Sequence, residues 1–419
     1  MGGEEEVEEA GRSFSAAVRP PADPDGCAWY EAYPFIRFLL ISLAGGVALA
    51  GVCTNALLLI TFSLLRHRQR GTDKPTTAGG GRKRREGEAV AVPAEYLGAL
   101  SVLDLCMCAN YLLLFVTDAC IHHFSLPSLF LLWHAYVIPL FALSRIQQFA
   151  MPFLIIAVTF ERWLAVCWSP EGVGGRLLGV CCSSARRRWV ILCIFLAAVL
   201  CRGSSFFDLT IIRHQNCSDV FGSLEVGATA LKFRFDYHIY EFYVLSVVQI
   251  FLPFFLLLFL NLAILLHHNA ATPLRIFRIM RAATFRHDVI NEKEGRVDPS
   301  LSLQLVEVGV EAMRQNMVEK QRRHQEKVRV RNATFTLIVL VSCHLVCSSI
   351  HVLVTCMERF NLNTLLYNAD GTASFFYTIS TDLVSFLAIL SSFLRFFVYF
   401  FCNADLRQHI LSLLTCRRS

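Results

Sequence analysis

Charged residues are scarce in this sequence. Asp, Glu, Lys and Arg make up 17% of its 419 residues, whereas soluble domains carry roughly 25%. The 16 cysteines form no CxxC pair and have no Cys/His metal spacing, so we expect no metal site. HExxH motifs, glycine-rich phosphate loops and nucleic-acid-binding motifs are also absent. We therefore expect no catalytic residues, no cofactor and no nucleic-acid partner, and a soluble enzyme is disfavoured.

Long apolar blocks are what the sequence has instead. Hydrophobic residues make up 55% of the chain. A helix needs about 20 consecutive apolar residues to cross a bilayer, and a spanning segment must satisfy its own backbone hydrogen bonds. The blocks lie at about 35–65, 95–121, 129–166, 189–208, 241–267, 332–357 and 373–401. The predicted fold class is an all-α membrane protein, a seven-transmembrane helix bundle over residues 35–401.

Basic residues indicate how the bundle is oriented. Segments 66–94, 167–188, 268–331 and 402–419 contain 8, 4, 13 and 3 Lys and Arg residues, which is 28 of the 39 in the chain. Loops rich in Lys and Arg stay in the cytoplasm. We therefore predict an extracellular tail at 1–34, long first and third cytoplasmic loops at 66–94 and 268–331, and a cytoplasmic tail.

The predicted tail, residues 402–419, begins with an amphipathic pattern. Leu406, Ile410, Leu411 and Leu414 alternate with Arg407, Gln408 and His409. This pattern predicts a short C-terminal helix on the membrane surface.

Ionisable residues within apolar spans are costly and often functional. Asp104, Arg145, Arg162 and Arg395 lie in such spans. For any one of them, a structural hydrogen bond between helices is the alternative interpretation.

Several motifs appear in order along the spans. They are GVCTN ending at Asn55, LSVLD ending at Asp104, Glu161-Arg162-Trp163 followed by Ala165-Val166 and Pro170, FLPFF around Pro253, and FFVY ending at Tyr399. This set resembles the rhodopsin-like (class A) G-protein-coupled receptors. Cys343-His344 and the run from Pro253 to Asn261 resemble invertebrate FMRFamide and related neuropeptide receptors.

The resemblance implies a multi-pass receptor of the plasma membrane. It would bind an extracellular ligand, which we expect to be a neuropeptide, and activate a heterotrimeric G protein. The resemblance and the depth of residues in the spans together give the pocket candidates Asp118, Arg145, Gln148, His344, His351, Tyr377 and Asp382. Asp118 and Asp382 suit a ligand that ends in Arg-Phe-amide, whereas Arg145 suits an acidic ligand.

The sequence departs from the family at the outer end of the third span. Val137 stands where the family has a disulfide-forming cysteine, so we expect Cys120 to replace it as the partner of Cys217, with two free thiols as the alternative. Asn216-Cys217-Ser218 is an N-glycosylation sequon. Asn216 is therefore the predicted glycosylation site.

A second departure places Arg395 where the family has the Asn that helps the Asp of the second span to hold sodium. Met151 stands where the family often has a serine. We predict an internal Asp104–Arg395 salt bridge that replaces the sodium site, with Arg395 extending to the membrane surface as the alternative.

A third set of residues is predicted to act in coupling, together with Tyr399. By resemblance, Arg162 would be held in the resting state by Glu326, with Glu161 as its local counter-ion. The alternative is that Glu326 is one solvated charge among many.

Other functions remain open on the sequence alone. A divergent seven-span chemosensory receptor, or a receptor that does not couple, is the main alternative. A transporter is less favoured because internal repeats and broken helices are not evident. A membrane-embedded enzyme is disfavoured because Asp104 and Asp382 lie at different depths.

Overall fold

The structure, a computed structural model, describes residues 35–71, 94–167, 184–215, 217–266, 334–357, 374–402 and 404–415. Within these residues, seven helices are long and apolar enough to cross a membrane. They are α1 (Phe35–Gly71), α2 (94–124), α3 (Pro127–Cys167), α4 (Ser184–Arg202), α5 (235–266), α6 (Thr334–Met357) and α7 (Phe375–Cys402). The chain is therefore a multi-pass membrane protein, and the predicted all-α seven-helix bundle is confirmed.

The outward faces of the helices are apolar. Leu200, Val346 and Phe259 have 74%, 70% and 63% of their surface exposed. In water such a surface would be a liability, but hydrocarbon chains solvate it. The charged residues described in the spans are, by contrast, mostly buried.

The interior is a continuous apolar core. Leu58, Leu100, Leu154, Leu257 and Leu340 come from five different helices and are all buried in it. Close approach of α1 to α2 depends on Gly51, because a Cβ at this position would lie 2.7 Å from the sulfur of Cys108. Small residues of this kind let membrane helices pack closely.

Two helices contain π-helical turns. In α2 the turn is Leu112–Val116, and in α5 the turns are Tyr240–Val244 and Val247–Phe251. The hydroxyl of Thr117 donates to the carbonyl oxygen of Leu112 at 3.1 Å and so satisfies part of the widened turn. Such turns were not predicted.

A β-hairpin connects α4 to α5, and it was not predicted. Strand β1 (Leu209–Arg213) pairs antiparallel with β2 (Leu224–Ala228), with Ile211 opposite Val226. The ring of Phe221, at the hairpin tip, packs 5.3 Å from the ring of Phe130 near the start of α3. This end of the bundle is called the hairpin end.

At the opposite end, α8 (Ala404–Leu414) follows α7. Leu406 and Ile410 are buried, whereas Gln408 and Leu411 are exposed. The predicted short surface helix is therefore present, with its apolar face packed on the bundle. This end is called the α8 end.

Candidate ligand and coupling sites

Asp104 of α2 and Arg395 of α7 form an ion pair inside the bundle. The Nη1 atom of Arg395 lies 2.7 Å from Oδ1 and 2.8 Å from Oδ2 of Asp104. Only 1% of the Asp104 side chain and 3% of the Arg395 side chain are exposed. The structure thus brings together the two residues whose pairing the sequence predicted, and Arg395 does not extend to the surface.

Met151 of α3 completes the surroundings of this pair. The Nη2 atom of Arg395 lies 3.1 Å from the Met151 sulfur. A thioether is a weak acceptor and a poor ligand for sodium. The guanidinium, rather than a cation held by oxygen atoms, is therefore the positive charge beside Asp104.

Other polar groups lie near this ion pair. Asn55 donates to the carbonyl oxygens of Gly51 at 3.0 Å and Ser392 at 3.5 Å. Tyr399 is buried, with its ring edge-on to Phe62 at 6.2 Å. Among the described residues, its hydroxyl has no hydrogen-bond partner. The α1–α2–α7 interface is therefore polar at its centre and tightly enclosed.

A second buried cluster lies toward the α8 end. Arg187 of α4 donates to Glu161 at 2.6 Å and 3.0 Å and lies 3.6 Å from Glu95 of α2. The prediction assigned Arg187 to a cytoplasmic loop, but α4 begins at Ser184, so Arg187 lies in its first turn. Glu161, predicted as a counter-ion for Arg162, is thus engaged by α4.

Arg162 and Glu326 are the other two residues that were predicted to form a resting-state contact. Arg162 is buried beside this cluster, with 2% of its surface exposed. Glu326 lies outside the described residues, so the Arg162–Glu326 contact stays a prediction.

Two of the pocket candidates are held by other residues at the hairpin end. Asp382 of α7 accepts from Arg37 of α1 at 3.0 Å and 3.5 Å. Asp118 of α2 lies 3.0 Å from the Nε2 atom of His122. Both carboxylates predicted to bind a ligand arginine therefore already have partners within the protein.

Two other candidates, Arg145 and His351, lie near a buried arginine, Arg202, that was not among the predicted site residues. Arg145 of α3 is close enough to interact electrostatically with Arg202 of α4 and with His351 of α6. Arg202 is buried, and its Nε atom donates to Gln249 of α5 at 2.7 Å. Its position at the end of an apolar block could have marked it as a site residue.

The last three pocket candidates are His344, Gln148 and Tyr377. His344 of α6 interacts electrostatically with Arg395, deeper in the bundle. Gln148 is exposed, and Tyr377 is half-buried near the start of α7.

The predicted Cys120–Cys217 disulfide is wrong. Cys217 is disulfide-bonded, but Cys120 is a free thiol. The hairpin that contains Cys217 packs on α3 through Phe221 and Phe130, whereas Cys120 belongs to the end of α2. Asn216, the predicted glycosylation site, lies outside the described residues.

The base of the hairpin is fixed to the bundle by a polar contact. The Tyr237 hydroxyl donates to the buried carboxylate of Asp208 and also contacts Ser204. Thr229 donates to the carbonyl oxygen of Phe207 at 2.6 Å. The hairpin is therefore held in place at both of its strands.

A cavity of about 390 Å³ lies between this base and α3. Its lining includes His134, Pro139, Phe207, Thr210 and Thr229. None of the predicted pocket residues is among the described residues that line it.

Comparison with known proteins gives no family for this chain. A scan against protein-family models finds no match, and a search of curated proteins finds none either. The function must therefore be argued from the motifs and from the geometry of the sites.

Proposed function

We propose that the chain is a divergent receptor of the rhodopsin-like G-protein-coupled type in the plasma membrane. The hairpin end would face outside and bind a ligand, which we take to be a peptide. The α8 end would face the cytoplasm and activate a heterotrimeric G protein. In this proposal the protein is not an enzyme.

The observation that carries the proposal is the buried Asp104–Arg395 pair within a seven-helix bundle. In the family that the motifs resemble, the same two positions are neighbours, and they link the second span to the seventh. An ion pair in lipid-enclosed protein is costly to form and to break. Its geometry therefore supports an interface between α2 and α7 with few stable arrangements.

The proposed mechanism is a shift between two populations of the bundle. A ligand bound near the hairpin end would favour the arrangement in which α6 moves outward at the α8 end. Arg162 and Tyr399 would then become accessible to the G protein. The bonds of Arg187 to Glu161, and its contact with Glu95, would keep α2, α3 and α4 together as the fixed part of the bundle.

The test is a ligand screen in cells that express the full chain. Neuropeptides, in amidated and in free-acid form, would be applied while calcium and cAMP are recorded. We expect a peptide response that Arg162→Ala abolishes at equal surface expression. Arg188→Ala is the matched control because Arg188 is exposed at the same end of the bundle.

Two outcomes would contradict the proposal. A response that survives Arg162→Ala would remove the assigned coupling residue. Peptide binding without G-protein activation in a reconstituted assay would favour the receptor that does not couple.

A further inference from the structure

Three basic residues and one carboxylate lie close together near the hairpin end of the bundle. The basic residues are Arg145 of α3, Arg202 of α4 and His351 of α6, and the carboxylate is Glu241 of α5. Each comes from a different helix, so the cluster lies where four helices converge. It belongs to neither the Asp104–Arg395 pair nor the Arg187 cluster.

Arg202 is only partly satisfied within this cluster. Its Nε and Nη2 atoms both donate to Oε1 of Gln249. Its Nη1 atom is 3.9 Å from Glu241, and it has no hydrogen-bond partner among the described residues. Since only 7% of the Arg202 side chain is exposed, bulk water does not replace the missing partner. A buried donor without an acceptor is costly.

Arg145 has still fewer partners. Its guanidinium lies 5.0 Å from the centre of the Phe141 ring. Among the described residues it makes no hydrogen bond and no ion pair. Among the described residues, Arg202 has one carboxylate near it, that of Glu241, whose Oε1 atom lies 3.9 Å from Nη1 and is therefore beyond hydrogen-bond distance. Within the part of the chain that the structure describes, the cluster has an excess of positive charge and of hydrogen-bond donors.

Three carboxylates at this end of the bundle are already engaged, and the first of them, Asp208, accepts from Tyr237. Asp382 is paired with Arg37, and Asp118 with His122. A cationic ligand group would therefore have to displace a partner within the protein and would meet two arginines. An anionic group would instead supply the acceptor that the cluster lacks.

We propose that Arg145 and the Nη1 atom of Arg202 bind an oxyanion of the ligand, a carboxylate, sulfate or phosphate. Guanidinium groups match the geometry of these anions and bind them through paired hydrogen bonds. His351 and the ring of Phe141 border the site. This inference rests on the proposed receptor function only in taking the occupant to be the receptor's ligand.

The experiment measures ligand binding alone, so that it does not depend on coupling. The purified full chain in lipid nanodiscs would be titrated with phenylbutyrate, its neutral amide phenylbutyramide and the cation phenylbutylamine, with thermal unfolding as the readout. Phenyl phosphate and phenyl sulfate would distinguish the three oxyanions. We expect at least one of the anions to raise the unfolding temperature, and the amide and the amine to have no effect.

Variants then locate the site. Arg145→Gln should reduce the affinity for the anion at least tenfold, whereas Arg145→Lys should retain part of it. Arg202→Gln is a second variant, although its loss also frees Gln249. Arg37→Gln is the matched control because this arginine at the same end is paired with Asp382, and it should leave the affinity unchanged.

Three outcomes would overturn the proposal. They are equal binding of the carboxylate and its amide, preferred binding of the amine, and no stabilisation by any of the anions. None of these results would bear on whether Arg162 couples to a G protein. Loss of the Arg162-dependent cellular response would in turn leave the anion binding measured in nanodiscs unchanged, so the two proposals fail separately.

Discussion

Asp104 and Arg395 bring two full charges into the apolar interior, and the free energy of each depends on the other. Taking an ion out of water costs several kcal/mol even after the protein relaxes. That cost is offset when the partner is close and the remaining atoms are hydrogen-bonded. Here one Nη1 atom serves both oxygens of Asp104, while the Nη2 atom has only the sulfur of Met151. Both oxygens of Asp104 therefore have a hydrogen-bond partner, whereas the guanidinium of Arg395 is only partly hydrogen-bonded among the described residues.

Asp104→Asn and Arg395→Gln should each destabilise the bundle by about 3–5 kcal/mol, since either change leaves one buried charge without its partner. The double variant should lose less than the sum of the two, because it removes both charges. The free energy of unfolding in nanodiscs, compared in a double-mutant cycle, measures this coupling.

The Arg37–Asp382 pair offers a matched control for this cycle. Its side chains are 31% and 16% exposed, so solvent screens the interaction and the coupling should be about 0–1 kcal/mol. If the losses at Asp104 and Arg395 were simply additive, the pair would contribute no mutual energy. The role that we assign to it would then be untenable.

At the residue scale, how well a charge could be predicted depended on its place in the apolar pattern. Asp104 and Arg395 stand alone within long apolar runs, which marked them as unusual, and the resemblance to the receptor family then predicted that they pair. Arg187 and Arg202 stand at the ends of such runs. There the sequence does not distinguish a buried first or last turn from a solvated loop, so Arg187 was assigned to a loop and Arg202 was not predicted as a site residue.

Helices were the most predictable elements because each is long and uniformly apolar. The hairpin was not predictable in the same way, since its strands are only five residues each and their pairing links Leu209 to Ala228. Sequence pattern alone says little about such non-local pairing. Cys120 was chosen for its place at the outer end of the second span, but it is a free thiol, and the hairpin packs on α3 through Phe221 and Phe130.

Close packing of α1 on α2 gives a prediction at the element scale. Gly51→Val should lower the thermal stability of the purified protein, because a side chain there meets the sulfur of buried Cys108. Overpacking of this kind costs about 1–3 kcal/mol. The unfolding temperature of the variant in nanodiscs measures the effect.

Gly46 is the matched control on the same helix. A Cβ at Gly46 would have no heavy atom within 4 Å, and Gly46 is exposed on the bundle surface. Gly46→Val should therefore be close to neutral. Equal losses from the two variants would mean that the helix itself, and not its approach to α2, is sensitive to valine.

For the whole molecule, the odd number of spanning helices has a direct consequence for topology. Seven crossings by the described helices would put the two ends of the chain on opposite sides of the membrane. The direction follows from charge, because 28 of the 39 Lys and Arg residues lie in segments that share a side with the carboxyl end. Basic loops are retained in the cytoplasm, so we expect the amino end and the hairpin outside.

Epitope tags test this arrangement in intact cells. A tag placed before residue 35 should be detected without permeabilisation, whereas a tag after residue 415 should require it. A tag within 268–331 should behave like the second, since an even number of crossings, those of α6 and α7, separates it from the carboxyl end. Detection of both terminal tags on one side would contradict seven crossings. The opposite sidedness would keep the bundle but place Arg145 and Arg202 near the cytoplasmic face, where an extracellular ligand has no access to them.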